Sequence, residues 1–198
     1  MQETAVTRWF GPHFDSLHPL LQALHRSGGS LTGTIIIEPG RGLAGWVGRR
    51  LAGRLGMPVD RRERGFTVEI RHDDGVLHWN RHFDDGSRMV SLFRPVGTWP
   101  EGYWIETTGK LRLTLTVDVI EGGWYWRPLH IALGRLRLPL ALFPRAAAYK
   151  RIEAGRYRFC VAFTVPILGM VLHYGGLLEA EAASPSSSLA HAIAPVHK

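Results

Sequence analysis

Cysteine and lysine are almost missing from this chain of 198 residues: Cys160 stands alone, and the lysines are Lys110, Lys150 and Lys198. A single thiol excludes an intrachain disulfide framework and a cysteine-based zinc site, and it suits a reducing, cytoplasmic setting. The scarcity of lysine changes how the net charge of +7 reads. Arginine supplies nearly all of the basic charge, a bias that a GC-rich coding sequence produces without selection for phosphate, so the charge argues against a nucleic-acid partner. Long apolar runs are missing too. The most apolar stretch, "RYRFCVAFTVPILGMVLHYGG" from Arg156 to Gly176, is broken by Thr164, Pro166 and Gly169, short of the roughly 18 residues of a spanning helix. The opening "MQETAVTRWFGPHFDS" has no basic start followed by an apolar core, so no secretory signal is expected. P-loop, dinucleotide-binding and zinc-protease motifs are absent, "GPHFDSLHP" is no nucleophile elbow, and no cofactor or metal is expected.

What is present is periodicity. Leu17, Leu20, Leu21 and Leu24 recur at i, i+3, i+4 and i+7, which predicts a helix over residues 15–25 capped by Asp15 or Ser16. "SLTGTIIIEP" follows as a strand. A second helix is expected over 41–55, burying Leu43, Trp46, Val47, Leu51 and Leu55; Gly56 and Pro58 stop it, and its internal glycines weaken it. From Gly65 the period becomes two. "GFTVEIRH", "VLHWNRHF", "SRMVSLFR", "GYWIETTG" and "KLRLTLTVDVI" read as strands separated by turns such as the two "DDG" triplets. "RLRLPLALFPR" is expected to be an irregular or edge segment because of its prolines, and "AAAYKRIE" another strand. Residues 1–10 read as an N-terminal extension, 11–181 as one β-rich domain, and 182–198 as a disordered, serine-rich tail. The expected fold is α+β and mainly β. An antiparallel meander of about eight to ten strands curls into a barrel or half-barrel, with two N-terminal helices packed on or in it.

The apolar stretch is then a hairpin. Tyr157, Phe159, Val161, Phe163 and Val165 share one bulky face, "PILG" turns the chain, and "MVLHYGGLLE" returns. Apolar character on both faces leaves two readings: a solid core, or a sheet lining a cavity for a hydrophobic or amphipathic small molecule. On the second reading Trp79, Phe93, Trp104, Phe163, Met170, Leu172 and Tyr174 line the cavity, with Arg81 or His173 as polar anchor. An internal Arg81 must meet a carboxylate, Glu106 or Asp118 in this chain, or the anionic head of a ligand.

Two other chemistries compete. His173 and Tyr174 are the acid–base residues of an isomerase or hydrolase, if the same cavity is an active site. His72, His78 and His82 are the tempting metal cluster, but His78 and His82 stand about 13 Å apart along a strand and two ligands make a poor site. Seven arginines between Arg41 and Arg64, with Arg49, Arg50 and Arg54 on the second helix, point to an anion-binding face and to peripheral contact with an anionic membrane or a protein.

The segments "GRGLAGWVGRRLAGRLGMP", "WNRHF", "GRLRLPLALFPR" and "GRYRFCVAFTVPILGMVLHYGGLLE" resemble the bacterial family known as domain of unknown function 4166, from about Gly11 to Glu179. Members of that family occur alone or joined to other domains, including NAD-binding reductase-like ones. The resemblance therefore implies an accessory role, handling a substrate or ligand, and carries over no catalytic residue. The leading expectation is a non-catalytic binding domain for a lipid-like molecule.

Overall fold

The alternation that begins at Gly65 closes on itself. The computed structural model describes residues 3–138, 140 and 147–184. Its strands are β1 (Gly29–Pro39), β2 (Glu63–Asp73), β3 (Val76–Phe83), β4 (Arg88–Val96), β5 (Tyr103–Thr108), β6 (Leu111–Ile120), β7 (Gly123–Leu133), β8 (Leu136–Leu138), β9 (Ala147–Glu153), β10 (Arg156–Val165) and β11 (Gly169–Ala182). The helices are α1 (Ala5–Phe10), α2 (Pro19–Ser27) and α3 (Gly42–Leu55), with a 3-10 turn over Gly11–Ser16. Each strand pairs antiparallel with its neighbours from β1 through β7; β7 then pairs with β9, and β9, β10 and β11 lead back to β1. The result is a closed ten-stranded antiparallel barrel with β8 as an extra strand on β7.

Strand β7 makes closure work by dividing its partners. Trp124, Tyr125 and Trp126 face β9, whereas Ile131, Ala132 and Leu133 pair with β8. Pro128 sits between these stretches, where the register with β6 slips beside Leu115. A proline has no N–H for the ladder, so a bulge is where a strand tolerates it. The proline-rich segment after β7 thus contributes a three-residue edge strand; its residues 139 and 141–145 lie outside the described residues, as do residues 185–198 of the expected tail.

Alternation also decides the interior. Phe66, Val68 and Ile70 of β2, Leu115 and Val117 of β6, and Tyr157 and Phe159 of β10 are buried inside the ring. The N-terminal helices plug one end. Within the stretch 1–10 expected as an extension, Ala5–Phe10 form α1, whose Trp9 and Phe10 are buried. Trp9 packs 5.4 Å from Trp104 and Phe10 packs 5.1 Å from Trp124, ring centre to ring centre. Helix α2 starts four residues later than periodicity suggested. His18, rather than Asp15 or Ser16, caps it, accepting from the Leu20 N–H at 3.2 Å, and Pro19 supplies the first helical residue.

Helix α3 lies at the other end, from the start of β11 toward Arg88 at the start of β4. It starts one residue later than expected, and of the expected face Leu55 is buried and Val47 and Leu51 pack against the core, but Leu43 and Trp46 do not. Ala44, Gly45, Gly48, Ala52 and Leu55 are buried, while Leu43 and Trp46 are 63% and 56% exposed. The cause is backbone approach. A Cβ on Gly48 would lie 1.8 Å from the Val171 carbonyl oxygen, so the glycine face docks on β11 and turns Leu43 and Trp46 outward.

That packing has a measurable consequence. Gly48→Ala must push α3 off β11 and is expected to destabilise the fold by about 1–3 kcal/mol in urea unfolding. Gly53→Ala, at an open helical position with nothing within 4 Å, is expected to stabilise by about 0.5–1 kcal/mol.

Candidate functional site

A polar relay crosses the inner wall of the barrel on β3, β4 and β5. Arg81 Nη1 donates to Ser91 Oγ at 2.8 Å, Ser91 Oγ lies 2.5 Å from Thr108 Oγ1, and Thr108 donates to Glu106 Oε1 at 3.1 Å. Either hydroxyl can be the donor in the Ser91–Thr108 contact. The register brings these residues together, because Ser91 pairs with Thr108 while Phe93 pairs with Glu106. Arg81 is buried and, among the described residues, no carboxylate lies within ion-pair distance of it. Burial pushes the Glu106 carboxyl above the usual carboxylate range, against the pull of Arg81 and the hydroxyl hydrogen bonds. The inner wall therefore carries a cation whose nearest acid is held toward its neutral form.

Two adjoining cavities meet this wall. One is about 50 Å³ and is bounded by Trp79, Arg81, Lys150, Tyr157, Phe159 and Tyr174 among others. The second is about 80 Å³; Arg81, Ser91, Glu106 and Thr108 form its polar side, and Leu111 and Phe163 belong to its apolar side. Arg81, Phe93, Trp126 and Tyr174 border both. Neither volume approaches the several hundred Å³ of a drug-sized site, so the enclosed space takes a compact group and not a whole lipid. The inward residues Leu111, Leu113, Trp126, Pro128, Val161 and Phe163 are only half-buried. Across the ring Leu77, Phe93 and Leu172 are buried. Helix α3 reaches β11, β1, Arg88 and Gly109. The mouth thus opens on the side of β6, β7 and β10.

Deeper toward the helical plug lies Lys150. Its Nζ is 3.7, 4.9 and 5.9 Å from the ring centres of Trp124, Trp79 and Trp126, and 2.6 Å from His25 Nε2. Burial, followed by the charge of Arg81, holds the amine well below its ordinary value of 10.5. Burial, then Lys150 and His72, lowers His25 in the same way. The tryptophan faces favour a cation, but among the described residues no carboxylate is in reach, and burial shifts both the amine and the imidazole toward their uncharged forms. Buried Tyr157 Oη and Trp79 Nε1 have no hydrogen-bond partner, and both residues border the first cavity. Burial also pushes the Tyr174 hydroxyl up to about 12, leaving it a proton donor.

The residues expected from sequence fall into three groups. Trp79, Arg81, Phe93, Phe163 and Tyr174 border a cavity. Trp104 and Leu172 are fully buried packing residues that border neither, and Met170 is 39% exposed near the β10–β11 turn. His173 points to the outer face, opposite Tyr174. Its Nε2 is 3.4 Å from Cys160 Sγ and its Nδ1 is 3.6 Å from Glu38 Oε2. An acid–base pair of His173 and Tyr174 in one cavity is therefore excluded by strand parity. His78 and His82 alternate with inward Leu77, Trp79 and Phe83 and face outward. His72 lies near His25, at 6.3 Å between ring centres. Among the described residues no three His, Cys, Asp or Glu side chains gather to hold a metal.

The arginine cluster divides as well. Arg64 is buried and held by Asp60, by Asp84 at 2.9 Å and by Asp85 at 3.8 Å; Arg62 meets Glu38 at 2.5 Å. Arg41, Arg49, Arg50 and Arg54 are exposed, with no ion-pair partner among the described residues. Sequence reasoning missed Ser91, Thr108 and Lys150. The strand parity that singled out Arg81 puts Ser91 and Lys150 on inward positions too, and tracing each strand for polar inward residues would have found them. Asp118, an alternative partner for Arg81, pairs with Arg127 on the outside at 3.0 Å.

A family model described as Domain of unknown function (DUF4166) matches residues 17–178, and the chain belongs to that family. No curated protein matches it. No helix among the described residues is long and apolar enough to cross a membrane.

Lys150 sets a pH dependence whose sign is fixed. A lysine held below its ordinary value in the fold contributes stability above pH 10.5 that is lost as pH falls. Lys150→Met removes the loss. The variant is expected to be more stable than the parent at pH 7, with the difference shrinking steadily as pH rises toward 10, measured by urea unfolding at each pH.

Proposed function

We propose that this barrel binds a small amphipathic acid, its anionic head on Arg81 and its apolar body along the mouth. The carrying observation is Arg81 itself: a buried guanidinium beside a cavity, hydrogen-bonded to a hydroxyl and with no carboxylate within ion-pair distance among the described residues. A buried cation without an anion is costly, and a planar guanidinium is well suited to a carboxylate. Burial raises Glu106 above the usual carboxylate range, which weakens it as a competitor for Arg81. Among the described residues Tyr157 Oη and Trp79 Nε1 offer unpaired donors to a head group nearby. The cavity volumes limit what enters fully to a head group and a short stem; Leu111, Leu113 and Phe163 would hold the remainder in the mouth.

This reading keeps the expected ligand class but makes the acid head, not the oily body, the part the interior recognises. The test is a titration, followed by calorimetry or native mass spectrometry, with medium-chain carboxylates and the matching methyl esters and alcohols. Carboxylates are expected to bind, and Arg81→Met to weaken them by about 10–100-fold, the worth of a charged hydrogen bond. Equal binding of esters and acids, or an Arg81→Met variant that is folded by circular dichroism and binds as well as the parent, overturns the proposal.

A further inference from the structure

The residues that α3 turns away from the barrel form a pattern of their own. Leu43, Trp46, Arg50 and Arg54 fall at i, i+3, i+7 and i+11, opposite the buried Ala44, Gly48, Ala52 and Leu55. The outer face thus begins apolar and ends basic. The Arg50 guanidinium lies 5.6 Å over the Trp46 ring, and Arg41 and Arg49 flank the same helix. The neighbouring β10–β11 turn adds exposed Ile167 and half-exposed Met170, whose backbone carbonyl lies against Gly40 just before α3. Two apolar residues on the helix, one on the adjacent turn and one at the start of β11, rimmed by four arginines with no ion-pair partner among the described residues, sit at the end of the barrel that the N-terminal helices leave free.

We infer that this end docks on an anionic phospholipid surface. The charge decides the occupant. A partner protein's apolar groove would bury Leu43 and Trp46 equally well, but it would not explain four exposed arginines without carboxylates beside them. Indole and guanidinium side chains together suit the headgroup region, where the ring's body is apolar and its edge is wet. Arginine at such a surface gains from the negative potential of anionic lipids and loses that gain in salt. Because α3 docks through Ala44, Gly45, Gly48, Ala52 and Leu55, with Val47 and Leu51 packed against the core, exposed Trp46 and Leu43 are available for insertion without unpacking it. The same surface lies beside the mouth, so a docked barrel would meet amphiphiles where they dissolve. That link rests on the cavity reading, whereas docking itself does not.

Flotation of the ligand-free chain with vesicles of phosphatidylcholine plus phosphatidylglycerol, and with pure phosphatidylcholine, tests the inference. Binding is expected on the anionic vesicles alone and to fall as salt is raised. Trp46→Ala and the double variant Arg50→Gln/Arg54→Gln are each expected to weaken it by about tenfold or more. Ile120→Ser, which removes an exposed apolar residue at the plugged end, should leave it unchanged. No flotation, equal flotation on both vesicles, or full binding by folded Trp46→Ala overturns the inference. So does sedimentation showing a dimer that Trp46→Ala dissociates, which would make a second copy the occupant. Carboxylate binding by Trp46→Ala reads the cavity separately, so the two proposals can fail independently.

Discussion

Ring closure is the constraint on which everything else depends. Ten antiparallel strands share their backbone hydrogen bonds around a complete circuit, which leaves, among the described residues, only β8 as an edge and creates an interior that must be filled. Filling comes from two sources. Inward aromatics from the strands occupy the middle, and α1 with α2 drive Trp9, Phe10 and Leu24 into one end. At the other end α3 lies flat instead of inserting, because glycine and alanine let its backbone come close to β11 while Val47, Leu51 and Leu55 pack beside them. The barrel is therefore dense at one end and incompletely packed at the other, and the two small cavities are that imbalance.

Polar groups inside such a ring behave as their surroundings dictate. Arg81, Glu106 and Lys150 share one low-dielectric space, yet none forms an ion pair there. Glu106 and Lys150 respond by moving toward their neutral forms, which burial permits for a carboxyl and an amine. A guanidinium has no such escape at any ordinary pH. Among the described residues Arg81 is consequently an inward cation that keeps its charge without an ion pair, and the functional proposal follows from that more than from the size of the cavity.

Aromatic residues carry two kinds of work that composition cannot separate. Trp104 and Trp124 are buried against the helical plug, Trp79 and Trp126 border the cavities, and Trp46 stands in solvent. The outward Trp46 and the buried Lys150 depend on the same thing, a backbone placed by neighbours distant in sequence. Cys160, His173 and Glu38 illustrate it on the outer face, where three adjacent strands bring a thiol, an imidazole and a carboxylate together.

The sequence by itself determined the strands, their turns and their parity. A period of two is a local property, and a one-residue error would turn every side chain to the wrong face. From parity alone Trp79, Arg81, Phe93, Phe163 and Tyr174 were legible as inward residues, and Arg81 as a group in need of an anion. Tertiary structure decided the rest. Whether Gly48 weakens a helix or lets it approach Val171, whether α1 is an extension or a plug, and whether Arg64 is free or surrounded by Asp60, Asp84 and Asp85 all depend on contacts between distant segments. Local periodicity describes which face a residue occupies; only closure of the ring decides what that face meets.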